Sequence, residues 1–183
     1  MLPDTVNGLP LHALSVHATV VLVPLLALLG VMYAVPRLRG WTRWPLGLLA
    51  IGAAGSTFVS VQTGQNLDDA LAANGALTGA VGDAVARHID LANQLQWMVY
   101  AYAVIALIAV FLVQPGTRSS HSATDGTSDE TSSSRGTSGA VAVVASIVLV
   151  LGAVAVGVQV ARVGEAGSKA VWNPDGSADY SAD

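Results

Sequence analysis

The chain has no cysteine, a single lysine and few charged residues of any kind. Without cysteine it can form neither a disulfide nor a thiolate metal site, and it has no thiol nucleophile. Only 11% of its 183 residues are charged, whereas a soluble domain carries about a quarter. No cluster of basic residues resembles a nucleic-acid-binding surface, so no nucleic-acid partner is expected. This composition points away from a water-soluble fold.

Hydrophobic residues make up 52% of the chain, and most of them fall in four long blocks. A run of about 20 apolar residues is long enough to cross the hydrocarbon layer of a bilayer as a helix. The four blocks cover about 14–35, 45–62, 91–113 and 139–161. We therefore predict a single-domain, all-α integral membrane protein, a four-helix bundle with up-down-up-down topology that contacts the lipid bilayer.

The segments between and after the blocks are polar. Residues 64–90 carry several acidic residues on a weak apolar pattern, which predicts a short surface helix, a turn, and a helix beginning near Asp83. Residues 114–138 are rich in Ser, Thr and Gly, a composition that cannot bury enough apolar surface to fold. We predict a disordered linker there, between the third and fourth helices, and a polar C-terminal tail over 162–183.

The distribution of arginine predicts the orientation. Arg37, Arg39 and Arg43 share the short segment between the first two blocks. Because positive residues accumulate in cytoplasmic loops, this segment is expected inside and both termini outside. Trp41 and Trp44 would then mark the inner interface.

Three histidines fall at the same, outer end of the predicted bundle. His12 and His17 lie at the start of the first helix, and His88 precedes the third. A neutral imidazole is the commonest protein ligand for transition metals and a frequent axial ligand of haem iron. His17 and His88 on facing helices are candidates for two axial ligands of a haem b, and all three histidines for ligands of a divalent metal. Alternatively, each is an ordinary polar group at a membrane interface.

Other functions are less favoured. The blocks have no acidic or basic residue at their centres, and the chain shows no nucleotide-binding loop. Enzyme chemistry and transport are therefore not expected. Small residues recur at four-residue spacing, the pattern by which membrane helices pack closely. They are Gly52, Ser56, Ser60 and Gly64 in one block and Ala153, Gly157 and Ala161 in another. These stripes support an alternative function, a non-catalytic accessory subunit of a larger membrane complex, or a homo-oligomer.

Three short motifs resemble a known family. Gly8-Leu9-Pro10-Leu11-His12, continuing to Val16-His17, is similar to the opening of the bacterial membrane family called domain of unknown function 2231. Arg87-His88 looks like that family's Arg-His element. Arg162-Val163-Gly164 through Gly167, with Ala170-Val171-Trp172, resembles its closing motif.

The resemblance implies a multi-pass protein of the bacterial inner membrane. Some relatives look fused to cytochrome b5-like or Rieske-like domains, which implies a setting in electron transfer. The chain departs from the family at Ala13, where Pro is usual, and at Glu165-Ala166, where the closing motif commonly has His-Ser. The Glu165 carboxylate is then a candidate metal ligand in place of that histidine.

Overall fold

A computed structural model of the chain describes residues 5–113 and 132–179, with side chains in the second stretch from residue 139 onward. The described residues form four helices: α1 (Leu11–Ala34), α2 (Arg39–Ala73), α3 (Gly79–Leu112) and α4 (Ser132–Trp172). All four are long and apolar enough to cross a membrane. This confirms the predicted all-α bundle of membrane-spanning helices.

A short hairpin precedes the bundle. Strands β1 (Thr5–Val6) and β2 (Leu9–Pro10) pair antiparallel around the turn Asn7-Gly8. Both turn residues have positive φ angles, 51° and 79°, the conformation for which an Asn-Gly pair is best suited. The hairpin leads directly into α1 at Leu11, so His12 lies in the first turn of that helix.

The helices form a ring in which each packs against two neighbours. α1 contacts α2 and α4, and α3 contacts the same two helices, so α1 and α3 are diagonally opposed. The interior combines small residues with a few large ones. Its most deeply buried large side chains are Val23, Leu26, Tyr33, Leu46, Val99, Tyr102, Leu149 and Val156.

The helical hairpin formed by α1 and α2 and the one formed by α3 and α4 share a pattern of buried positions. The sequence offset that relates His12 to His88 carries every buried residue of α1 onto a buried residue of α3. These pairs are Val23/Val99, Leu26/Tyr102, Ala27/Ala103, Gly30/Ala106 and Tyr33/Ala109. The offset that relates Gly64 to Gly167 likewise pairs buried Leu46 with Leu149 and Ala50 with Ala153. The bundle is thus built from two similar halves, an arrangement found in other membrane proteins.

Two arginines close the end of the bundle opposite the histidines. Arg39 donates hydrogen bonds to the carbonyls of Tyr33 and Ala34 at the last turn of α1. Arg43 donates to the carbonyl of Val110, near the last turn of α3. The final carbonyls of a helix have no partner within it, and the helix dipole favours a cation there. These two side chains therefore cap the diagonal helices.

The helices extend beyond the predicted apolar blocks. α2 continues through the expected surface helix to Ala73, and α3 begins at Gly79 rather than near Asp83. α4 runs on to Trp172, through half of the segment predicted as a polar tail. The physical reason is that hydropathy marks the part of a helix inside lipid, whereas polar residues continue the same helix in water. Of the predicted linker, residues 132–138 begin α4, and 114–131 lie outside the described residues.

Candidate functional site

His12 is fixed between α1 and α2. It is half-buried, and its Nδ1 lies 3.0 Å from the carbonyl oxygen of Ser60. Its ring lies over Gly64, where an added Cβ would come within 3.1 Å of the imidazole. Since a carbonyl can only accept, Nδ1 carries the proton and Nε2 keeps its lone pair.

His88 occupies the same place between α3 and α4. It is half-buried, and its Nδ1 lies 3.2 Å from the carbonyl oxygen of Val163. Its ring lies over Gly167, where an added Cβ would come within 3.0 Å of the imidazole. In both halves the glycine follows the accepting carbonyl by four residues, one turn of helix. The two histidines are therefore equivalent in position, tautomer and support.

Both imidazoles lie at the same end of the bundle, on the diagonally opposed helices α1 and α3. Within the part of the chain that the structure describes, neither Nε2 has a hydrogen-bond partner. A backbone carbonyl on one ring nitrogen with a free lone pair on the other is the usual support of a metal-bound histidine.

The other candidate ligands lie apart from this pair. His17 is exposed, and its Nδ1 lies 2.6 Å from the carbonyl of Ala13 in its own helix. Glu165 is also exposed and forms an ion pair with Lys169 at 2.7 Å. The structure thus places His12 and His88 in matching, half-buried positions at one end of the bundle and leaves His17 and Glu165 on the surface. His121 lies outside the described residues. Among residues 5–113 and 139–179, no three histidine or acidic side chains gather as a metal-binding group.

The surroundings of the two histidines differ. Hydroxyl groups join α1 to α2 beside His12, where Ser15 bonds Thr63 at 3.0 Å and Thr19 bonds Ser60 at 2.8 Å. Beside His88, the buried Gln159 of α4 donates to the carbonyl of Leu91 at 3.1 Å. Hydroxyls therefore support one half of the repeat, and an amide supports the other.

Two functional positions were missed at the sequence level, the glycines beneath the rings. Gly64 was assigned only to a packing stripe, and Gly167 only to the closing motif. The signal that finds them is the repeat itself, because aligning His12 with His88 also aligns Gly64 with Gly167. The prediction that His17 is a ligand did not account for the hydrogen bond between its Nδ1 and the Ala13 carbonyl, one turn earlier in the same helix.

A comparison with protein-family models, curated proteins and solved structures finds no match to this chain.

Proposed function

We propose that this multi-pass membrane protein holds a haem iron between the imidazoles of His12 and His88 and takes part in electron transfer. The observation that carries the proposal is the matched pair itself. Each imidazole is oriented by a backbone carbonyl on Nδ1 and rests on a glycine of the next helix. In both histidines, the lone pair of Nε2 remains available to bind a metal.

The number of available protein ligands favours haem over a divalent metal ion. A structural zinc site takes four protein ligands and a catalytic one takes three. No group of three histidine or acidic side chains that could hold a metal ion occurs among the described residues. A six-coordinate haem needs only two from the protein, because the porphyrin supplies the other four. Bound there, the iron would supply one-electron chemistry, and His12 and His88 would hold and orient it.

The absorption spectrum of the purified protein tests this proposal. Protein produced with ample haem precursor should show a Soret band that shifts on reduction. His12→Ala and His88→Ala should each convert the six-coordinate spectrum into that of a five-coordinate haem, because a single imidazole leaves one axial position without a ligand, and the double variant should lose the band. His17→Ala is the matched control, since its ring bonds only its own helix, and it should leave the band unchanged. A colourless protein, or a band that survives both substitutions, would refute the haem proposal.

One observation favours a second function, that of an accessory subunit. The most apolar stretch of α4 is the least covered of the four spans, since only 17% of its residues are buried inside the bundle. Ala153 of the predicted stripe packs inside the bundle, but Gly157 has open space above it and Ala161 is exposed. A second membrane helix seated there would give the protein a partner. Crosslinking through a cysteine at Gly157 in native membranes tests this function.

The orientation and the family remain parts of the proposal. Arg37 in the turn after α1, with Arg39 and Arg43 at the start of α2, supports an inner location for that end, so both termini are expected outside. The Leu9-Pro10-Leu11-His12 opening supports membership of the domain of unknown function 2231 family, and with it a bacterial inner membrane.

A further inference from the structure

A groove of about 680 Å³ lies between α3 and α4 at the histidine end of the bundle. Its floor includes Leu91 and Ala166, both nearly buried, and its wall includes the turn that follows α4. His88 does not line it. Six charged side chains do: Asp83, Arg87, Arg162, Glu165, Lys169 and Asp175.

Two cations of the groove, Arg87 and Arg162, form no ion pair among the described residues. Lys169 is engaged by Glu165 at 2.7 Å, the one ion pair among the described residues. Arg162 donates only to the neutral amide oxygen of Gln159, at 3.4 Å. Arg87 makes no ion pair within the described part of the chain. Two guanidinium groups therefore border the same space, and guanidinium pairs well with phosphate through two parallel hydrogen bonds.

Two anions of the groove are equally unengaged by cations. Asp175 accepts hydrogen bonds from the backbone N–H and the hydroxyl of Ser177, at 3.1 and 2.8 Å. These bonds lower the pKa of Asp175, so its carboxylate stays charged at neutral pH. Asp83 is exposed and makes no ion pair among the described residues. Two positive and two negative side chains without an ion-pair partner therefore border the groove, and their charges cancel.

The level of the groove along the bundle matches that of lipid headgroups. Val110, whose carbonyl Arg43 binds, marks the opposite end of α3. Arg87 precedes it along the helix by about 35 Å at 1.5 Å per residue. The hydrocarbon layer is about 30 Å thick. With Val110 at one boundary of the hydrocarbon layer, Arg87 therefore lies just beyond the other.

We propose that this groove binds a zwitterionic lipid headgroup of the phosphoethanolamine type. Arg87 and Arg162 bind the phosphate, and Asp83 and Asp175 accept hydrogen bonds from the ammonium group. An anionic headgroup would meet the two carboxylates without a compensating cation. A quaternary ammonium has no N–H to donate to them. The groove therefore selects a lipid that carries both a phosphate and a primary ammonium.

The test is native mass spectrometry of the full chain mixed with equal amounts of three lipids. These are phosphatidylethanolamine, phosphatidylglycerol and phosphatidylcholine with identical acyl chains. Phosphatidylethanolamine should be retained preferentially, by about tenfold if the charged hydrogen bonds contribute as usual. The double variant Arg87→Ala/Arg162→Ala should lose this retention. The double variant Asp83→Asn/Asp175→Asn should keep phospholipid binding but lose the preference for phosphatidylethanolamine over both phosphatidylcholine and phosphatidylglycerol.

Arg37→Ala is the matched control, because it removes an exposed arginine from the other end of the bundle. It should leave the lipid preference unchanged. Equal retention of the three lipids, or a preference that survives loss of both groove arginines, would overturn the proposal. Binding of soluble O-phosphoethanolamine without selective lipid retention would also overturn it, in favour of a water-soluble ligand. The haem spectrum of the arginine double variant should be unchanged, which separates this site from the histidine pair.

Discussion

The imidazole of His12 lies directly over Gly64, and an added Cβ at that position would stand 3.1 Å from the ring. The same relationship joins His88 to Gly167 at 3.0 Å. In each half, a glycine of the next helix sets the depth at which the ring sits. A methyl group there forces the ring to move by a few tenths of an ångström.

The first prediction follows from this contact. Gly64→Val should displace His12 and weaken its bond to the Ser60 carbonyl, a loss of about 1 kcal/mol for a hydrogen bond. We expect the haem affinity to fall, as measured by titration of haem into the purified protein. Gly55→Val is the matched control in the same helix, because a Cβ there meets nothing within 4 Å. Equal affinity in the two variants would contradict the prediction.

The second prediction concerns the packing of Tyr102 at the bundle centre. Its hydroxyl donates to the carbonyl of Leu149 at 3.1 Å, and its ring lies between Gly30 and Gly152. A Cβ at Gly30 would overlap the Tyr102 hydroxyl, and overpacking of this kind costs about 1–3 kcal/mol. Gly30→Ala should therefore lower the midpoint of thermal unfolding in detergent.

Two further variants make this second prediction specific. Gly157→Ala adds the same methyl group where space is open, so it should leave the midpoint unchanged. Adding Tyr102→Phe to Gly30→Ala removes the overlapping hydroxyl and should restore part of the stability. Failure of this rescue would show that the loss has another cause.

The third prediction concerns the arginine caps. Arg39 binds two carbonyls of the last turn of α1 and the hydroxyl of Ser146 in α4. Arg39→Ala should destabilise the bundle by about 1–3 kcal/mol, since it leaves the Tyr33 carbonyl without a partner, whereas the Ala34 carbonyl keeps its hydrogen bond from Ser146. Unfolding in a denaturing detergent measures the effect. Arg37→Ala, two residues earlier and exposed, should have little effect.

The fourth prediction tests the orientation, and the absence of native cysteine makes it simple. A cysteine at the exposed Ala70, near the end of α2, should react with an impermeant thiol reagent in whole cells. A cysteine at the exposed Pro36, between α1 and α2, should react only after lysis. The reverse pattern would place the histidine pair and the groove on the cytoplasmic side.

The sequence was sufficient for the class of fold because the evidence for a membrane helix is local. Each apolar block stands alone as a signal, and all four correspond to helices. The ends of the helices were not predictable in this way, since α2 continues through polar residues to Ala73. Its termination there depends on Asn74-Gly75, where Gly75 adopts a positive φ of 67°. The Asn74-Gly75 pair itself indicates a turn in the sequence, although hydropathy alone does not detect it.

The site was predictable only in part because it depends on contacts between helices. The three histidines could be placed at one end of the bundle, but their rotation about the helix axes decides which of them meet. His12 and His17 both lie in the first two turns of α1, yet one ring reaches α2 and the other returns to its own backbone. The carbonyls of Ser60 and Val163, which orient the rings, have no signature in side-chain chemistry.

The equivalence of the two halves has a consequence for how the protein can be made. Each helical hairpin packs a similar set of buried positions against the other. The turn over residues 74–78 therefore joins two hairpins that can associate by themselves. Two separate polypeptides, 1–75 and 76–183, should therefore assemble in a bilayer as a two-chain complex with one histidine from each. The covalent link would then raise the local concentration of one hairpin near the other, and it would not determine how they pack.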